Sequence, residues 1–240
     1  MALIHGKGTS VLVNAFDLSA FLNSADETIT VETAETTCFG SSAKSYVTGL
    51  RDGTVSVSGF FDGATNAVDE VLTAAIGSAT ASVVSIAEQG AGTIGNRALV
   101  VQAMDTSYQI TGAVGDAVAV SAEFQVDGTG SSGAYRGVVL ADLASYSGTT
   151  KNYTSVDNAA SSANGLTANV HVTANAATAL VVKIQHSTDN VTFTDLITFT
   201  TINTTGSEHK VVSGTVNRYI RASWTGNSGA RTVAVTAARK

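Results

Sequence analysis

From Ala117 to Val126 the chain alternates with a period of two, with Val118, Val120, Ala122, Phe124 and Val126 on one side and Ala119, Ser121, Glu123 and Gln125 on the other. Successive side chains of a strand point to opposite faces, so this stretch reads as a strand with one dry and one wet face. A slip of one residue would carry all five apolar side chains into water, which fixes the register of whatever pairs with it. The rest of the chain has to supply those partners, and it does so repeatedly.

Short alternating or β-branched runs occur at residues 8–13, at Thr28–Glu35 (Ile29, Val31 and Thr33 against Thr30, Glu32 and Ala34), from Val55 to Phe61, at Ser82–Ala87, at Arg97–Ala103 and at Tyr135–Leu140. Further on, Leu166/Ala168/Val170/Val172, Leu180/Val182/Ile184, Val191/Phe193 with Leu196/Ile197/Phe199, Ile220/Ala222/Trp224 and Val233/Val235 repeat the pattern, parted by Asp189-Asn190, Asn203 to Gly206 and Gly226 to Gly229. Many short strands at such spacing predict antiparallel sandwiches. With no proline, against roughly 12 at average usage, and 23 glycines, the turns must be built from Gly, Asn and Asp. Asp52-Gly53 therefore reads as a hairpin turn leading into Val55 and Val57.

Two segments read as helical. Asp17 is placed to cap a short helix whose Leu18, Phe21 and Leu22 share a face. From Ala67 to Ile76, Val68, Val71, Leu72, Ala75 and Ile76 recur at helical spacing, Asp69 and Glu70 occupy the first turn, and Gly77 comes next as a stop. This helix is expected to lie across one end or face of a sandwich.

At 240 residues the chain accommodates one large β domain or two smaller ones. Its apolar content is 44 % and its aromatic content 6 %, so the core must come mainly from Val, Ala, Ile and Leu. Charge divides the chain more sharply. Before Arg136 there are fourteen acidic and four basic residues, net −10; from Arg136 onward there are five acidic and nine basic, net +4. The change falls beside Asp127-Gly128-Thr129-Gly130-Ser131-Ser132-Gly133, the best linker in the sequence, and implies two units with different neighbours. Tyr135 to Leu140 either belongs to the first unit or bridges to the second.

Chemistry finds little to hold on to. Gly90-Ala91-Gly92-Thr93-Ile94-Gly95 matches a dinucleotide fingerprint letter for letter, with Asp116 about 20 residues on, but the β-branched run Ala98 to Val101 stands where a helix would have to meet the pyrophosphate. It reads as a hairpin loop. Gly6-Lys7-Gly8-Thr9 has the wrong order for a phosphate loop. His5, His171, His186 and His209 show no metal-ligand spacing and each fits a solvated strand or loop position. Cys38, the only cysteine, rules out an internal disulfide and reads as a small loop residue. Trp224 fits a core position better than a sugar platform. The expectation is no enzyme, with no catalytic residue, cofactor or metal. The start lacks an apolar signal region and no run of about 18 apolar residues exists, so assembly in a cytosol is expected. Asn152, Asn190 and Asn203 begin Asn-x-Thr triplets of the kind a Thr-rich chain produces by chance.

One stretch carries a family likeness. Glu35-Thr36-Thr37, Phe39-Gly40, Lys44-Ser45-Tyr46, Gly49-Leu50-Arg51-Asp52-Gly53 and Val55-Ser56-Val57-Ser58-Gly59-Phe60, approached through Ser10 to Val13 and Asp17 to Asn23, resemble in order and spacing the major tail tube proteins of long, non-contractile-tailed bacteriophages. The likeness spans roughly the first half to 60 % of the chain. It implies a mostly β fold: a tail-tube-like domain over residues 1–144 with one α-helix, forming sandwich and barrel wall, followed by an outward-facing antiparallel β-sandwich over 145–240 that polymerisation can spare. It implies six copies in a ring, a homohexamer, with rings stacked into a virion tail tube that conducts DNA during ejection without binding it specifically. Tail terminator and tip proteins would be partners at the ends. The loop Thr36 to Thr48 would reach the adjacent ring, with Thr36, Thr37, Phe39, Lys44 and Tyr46 as contact candidates and Phe39 as an apolar anchor. Glu32 and Glu123 would face the lumen, where negative charge repels phosphates. Ser187 to Phe193 is also similar to a hairpin of carbohydrate-binding sandwiches, which leaves a second expectation open: a virion decoration or fibre protein that binds host-surface glycans through its C-terminal sandwich.

Overall fold

The structure, a computed structural model, describes residues 5–131 and 133–240; the Met1–Ile4 start and Ser132 of the glycine-rich stretch lie outside the described residues. The chain is mostly β, as the alternation requires. In order, the elements are β1 (Ser10–Val13), β2 (Phe16–Asp17), β3 (Leu22–Glu35), β4 (Tyr46–Phe60), α1 (Val68–Ala75), β5 (Ser82–Ala87), β6 (Arg97–Thr111), β7 (Ala119–Val126), β8 (Tyr135–Ala141), β9 (Ser145–Asn152), β10 (Val156–Asp157), β11 (Leu166–Asn175), β12 (Val181–Ser187), β13 (Thr194–Thr198), β14 (Gly206–Val212) and β15 (Tyr219–Arg239).

A four-stranded antiparallel array, β3-β4-β7-β6, a meander but for the crossover through α1 and β5 that separates β4 from the β6–β7 hairpin, organises the first half. The N-terminal half of β6 leaves this meander and pairs with β5 on one side and β8 on the other, while β1 and β2 extend the sheet beyond β5. Val55, Val57, Val120, Ala122 and Phe124 from the meander meet Val11, Val13, Val84, Ile86, Leu99 and Val101 in one core, which α1 closes with Val68, Val71 and Leu72. Helix α1 is tied to the meander where the Tyr108 hydroxyl donates to Asp69 Oδ1 at 2.7 Å.

The second half is a sandwich whose two layers share β15. Its first part pairs with β12, β9 and β10, and its second part with β11 and β8. Between them the strand crosses layers at a register shift, and a Cβ on Gly229 would stand 2.6 Å from Ala177 Cβ, so only glycine fits. Leu166, Ala168, Val170, Leu180, Ile184, Ile220 and Trp224 fill this core. The two halves are not joined by a free linker. Strand β8 hydrogen-bonds to β6 of the first unit and β15 of the second, so Tyr135 to Leu140 bridges, and the edge between residues 144 and 145 runs through a shared sheet.

Three local expectations are corrected. Asp52-Gly53 is no turn: β4 runs unbroken from Tyr46 to Phe60, and the hairpin reverses at residues 36–45. Gly53 is needed for close approach instead, since a Cβ there would lie 2.7 Å from Thr28 O and 3.0 Å from Ala134 Cβ. Asp17 caps no helix; it ends β2, and its Oδ1 accepts from the Ser19 amide at 3.0 Å, a local side-chain turn that competes with helix formation. The helix at Ala67–Ile76 exists but spans Val68–Ala75, with Ala67 and Ile76 extended and the Asn66 amide donating to Glu70 Oε2 at 2.6 Å. Gly77 sits at φ 68°, as its role as a stop demands.

Candidate assembly surfaces

The meander presents one face to the core and one to solvent. On the solvent face the register builds cross-strand rows: Asp26–Ser56–Glu123–Ser107, Ser24–Ser58–Ser121–Gln109, and Thr28–Thr54–Gln125. Hydroxyls, amides and two carboxylates make up these rows, and no Lys or Arg interrupts them. Glu123, a sequence candidate for a negative face, sits in the first row. Asp26, which sequence reading missed, stands in the same row across Ser56. Its signal was the parity it shares with Thr28 and Thr30, hidden because its strand was expected to begin at Thr28. Glu32 lies farther out, opposite the Gly49-Leu50 bulge of β4 between the pairs Val31↔Arg51 and Thr33↔Thr48, beyond the reach of β7.

Both sides of this meander are open. Among the described residues strand β3 pairs only with β4, and from Met104 to Thr111 β6 pairs only with β7. Unpaired edges recruit further strands, and proteins that must stay monomeric guard them with lysines, prolines, bulges, inward-pointing charges or cover; these two edges carry bulges and the inward-placed Glu27 and Asp105. Neither Leu22–Glu35 nor Met104–Thr111 contains a lysine or a proline.

Past the pairs Thr28↔Thr54 and Thr54↔Gln125 the base of the β3–β4 hairpin is held where Gln125 Nε2 donates to Asp52 Oδ1 at 2.6 Å and Arg51 donates to Ala134 O at 3.1 Å; beyond Arg51 its two strands pair only with each other among the described residues. Every residue from Thr30 to Asp52 is exposed. At about 3.4 Å per residue the free ladder projects some ~25 Å beyond the sheet, and the 36–45 loop adds to it. The Thr36 amide donates to Ser45 O at 2.8 Å, Thr37 Oγ1 accepts from the Ser45 amide at 3.1 Å, and Lys44 pairs with Glu35 at 3.0 Å. Thr36, Thr37 and Lys44 thus brace the tip, while Phe39 is wholly exposed at 111 % and Tyr46, Val47, Leu50 and Val31 lie open along the arm. Cys38 is a free, exposed thiol in the same loop.

The opposite end of the meander carries a second apolar group. Phe60, Phe61, Ile110, Val114 and Val118 are all exposed where β4 ends beside the β6–β7 turn, and the Phe61 amide donates to Val118 O at 2.9 Å. Val118 was expected on the dry face; it has the right parity, but the core stops at Val120.

The other residues that the sequence motifs single out sit in loops and in the cores. Gly90 and Gly95, at φ 86° and 91°, shape the loop between β5 and β6, and a strand comes next. Among the described residues no group of three or more His, Cys, Asp or Glu could hold a metal. Trp224 is buried, its indole donates to the Tyr153 hydroxyl at 3.4 Å, and the Arg231 guanidinium covers its ring. Arg136 bridges Glu88 and the inward-facing Glu27, tying the edge of the meander to the β5–β6 loop. The expectation of solvated histidines is corrected: His171 is fully buried and His209 half-buried, because the polar face of β11 is covered by the first unit instead of water.

No protein-family model matches the chain, and no curated protein does. Among solved structures it is similar to a chain of a native gene transfer agent virion (17 % identity, TM-score 0.44, 53 % of this chain and 96 % of that one) and to one from the tail of an empty gene transfer agent particle refined with C6 symmetry (17 %, 0.43, the same shares). It is also similar to the SPP1 Dit protein of a phage adsorption hub (13 % identity, TM-score 0.37, 96 % of this chain and 98 % of that one). All three lie below a TM-score of 0.5, so a function has to be argued from this chain's own residues.

Proposed function

We propose that this chain is a structural subunit of a bacteriophage virion tail that joins edge to edge into rings and end to end into a tube. The observation that carries the reading is the meander itself: two strand edges left without a pairing strand and free of lysine and proline, and a projecting arm with no core of its own. An isolated two-stranded hairpin is at best marginally stable in water, so the arm gains its order from another molecule. The β3 edge of one copy and the Met104–Thr111 edge of the next are different surfaces; pairing them is a head-to-tail contact, which closes into a ring when the rotation fits. The ring of six comes from the sequence resemblance.

In that ring the hydroxyl-lined face with Asp26 and Glu123 lines a channel. Carboxylates without basic neighbours give DNA phosphates nothing to hold, so the duplex slides without specific binding. The arms, led by Phe39 and backed by Tyr46, Val47 and Leu50, dock on the Phe60–Phe61–Val118 end of a copy in the adjacent ring. The C-terminal sandwich faces outward, terminator and tip proteins close the tube, assembly takes place in the host cytoplasm, and no step is catalytic. Negative-stain electron microscopy of the full-length protein across a concentration series tests this. Annuli or hollow tubes are expected, and uniform monomers at the highest concentrations, even after seeding with tail fragments, would overturn it.

A further inference from the structure

The two units meet through a buried seam of uncharged polar groups whose protons can be placed by elimination. The Asn169 amide nitrogen lies 2.8 Å from Val84 O, 3.0 Å from Val101 O and 3.0 Å from Ser85 Oγ, and carbonyls can only accept, so it is the donor. Its Oδ1 therefore accepts from His209 Nδ1 at 2.6 Å, which leaves His209 Nε2 to accept from the Thr167 hydroxyl at 3.2 Å. In the same way His171 Nδ1 donates to Asn14 O at 2.6 Å, and its bare Nε2 takes the Ser85 hydroxyl proton at 2.9 Å. Ser85 Oγ then accepts from Thr236 at 2.8 Å, while the two amide hydrogens of Asn169 are shared among Val84 O, Val101 O and Ser85 Oγ. Both imidazoles are neutral in this arrangement.

We propose that this seam is an acid-sensitive lock that sets the angle between the two units. A proton added to His171 Nε2 would displace the Ser85 hydroxyl hydrogen from that bond, leave Thr236 Oγ1 to take it at the cost of the hydrogen Thr236 now donates, and put a charge without a counter-ion into a dry site. Unsatisfied polar groups and an unpaired buried charge are what such a site cannot tolerate. No compensating anion is built in. Strands β1, β5 and β11 contain no ionisable residue besides His171, and Asp17 on β2 is bound to Ser19. Arg97 and Asp105 sit at four residues' distance from Val101 on β6, Glu208 and Lys210 on β14 pair with each other, and Arg231 and Arg239 lie towards the ends of the β15 segment around Thr236. Only Asp127 acts on His209 to favour its charge, against a larger opposing effect of burial.

Burial holds both imidazoles down at about 4, against 6.5 in the open chain. A histidine with a depressed native value stabilises the closed seam above 6.5 and loses that contribution as the pH falls from 6.5 towards 4. When the seam opens, the pairing of β8 with β15 and a small cluster of Leu12, Ala87, Ala98, Val139 and Ala234 remain to hold the units.

Histidine-ring NMR and hydrogen exchange on the full chain from pH 7 to pH 4 test the lock. Both rings are expected to stay as neutral Nδ1–H tautomers down to about pH 5, and opening of residues 82–87 and 167–171, corrected for intrinsic exchange, to rise on the order of a hundredfold by pH 4 for each ring that the opening exposes. The β12–β15 amides of the second core should not follow. A glutamine at 171 and at 209 can both donate and accept without titrating, so H171Q/H209Q should lose the acid response. Either ring titrating near 6.5, unchanged seam exchange with both rings protonated, or an undiminished acid response in the double variant would overturn the proposal; if that variant does not fold, the wild-type measurements decide alone.

Discussion

Strands β3–β4 and strands β11–β15 are both long antiparallel ladders with alternating sequences, yet one ends bare on both faces and the other is buried on both. From Thr30 to Asp52 every residue of the first pair is exposed, with Arg51 and Asp52 at its base held by Ala134, Tyr135 and Gln125, whereas Leu166 to Val172 are all buried. The difference does not come from hydropathy. Tyr46, Val47, Leu50 and Val31 are as apolar as Leu166 and Val170, and Thr167, Asn169 and His171 are as polar as the arm's Thr33 and Thr48. What differs is whether the partner surface lies in the same chain. The buried pair finds its core in the sandwich and its polar seam in the first unit; the bare pair, if the proposed role holds, finds its partner in another copy.

Shortening the bare pair gives the largest expected effect. Replacing Thr33–Thr48 by Asn-Gly, a two-residue turn suited to the twist of a hairpin, should abolish rings and tubes in electron micrographs. Because the removed residues touch no core, unfolding of the remaining body should change by only about 0.5 kcal/mol. Tubes that persist would remove the arm from assembly, and a collapsed body would show that the arm supports its own chain.

Asn169→Leu is the converse experiment on the buried pair. It keeps the branched shape but removes the bonds to Val84 O and Val101 O, which keep their ladder partners across β5–β6, and leaves the His209 Nδ1–H without a partner, and an orphaned buried group costs about 1–3 kcal/mol. A total loss of about 3 kcal/mol in denaturant unfolding is expected, and a loss below about 1 kcal/mol would mean that water already reaches the seam.

These two ladders also show how far the residues alone could be read. Alternation located the strands at Ala117–Val126 and Leu166–Val172, and helical spacing located α1, because each reports a face turned toward a core. It could not say what lies on the other face. Thr167, Asn169 and His171 look like a solvated side and are covered by β5 and β6, elements some 70 to 85 residues earlier. Asp52-Gly53 looks like a turn because the pair is common there, but the requirement at Gly53 is room for Thr28 and Ala134, a contact set by pairing. Among the assembly candidates, the exposure of Phe39 and Glu123 was legible from their own neighbourhoods. Asp26 and the Phe60–Val118 group were not, because they depend on cross-strand register and on where the core ends.

A smaller effect comes from the dry face of the meander. Asp105 lies opposite Phe124, is 8 % exposed, and neither carboxylate oxygen makes a well-formed hydrogen bond. Burial pushes its carboxyl up to about 6, partly offset by the Ser107 amide. An acid whose native value is raised lowers stability most above that value, and the penalty vanishes once the unfolded chain is also protonated, below about 4. Asp105→Asn should therefore gain about 1–2 kcal/mol at pH 7 and nothing near pH 3. An equal gain at both would assign the effect to packing, and a loss at pH 7 would mean that the carboxylate has a partner in the assembled state.

The smallest expected change in folding is Glu123→Lys on the wet face of the same sheet. Glu123 is exposed and forms no ion pair among the described residues, so its replacement should stay within about 0.5 kcal/mol and leave rings intact. Its consequence lies in the channel instead. Each copy would set a cation in the row with Asp26 and Ser107, and repetition around the ring would build a band of positive charge along the path of the phosphates. Tubes of the variant should then retain duplex DNA at low salt and release it as salt rises, since binding through counterion release weakens steeply with ionic strength. Wild-type tubes should retain none under either condition. Retention by both would place some other surface against the DNA, and retention by neither, in well-formed tubes, would turn this face of the meander away from the channel.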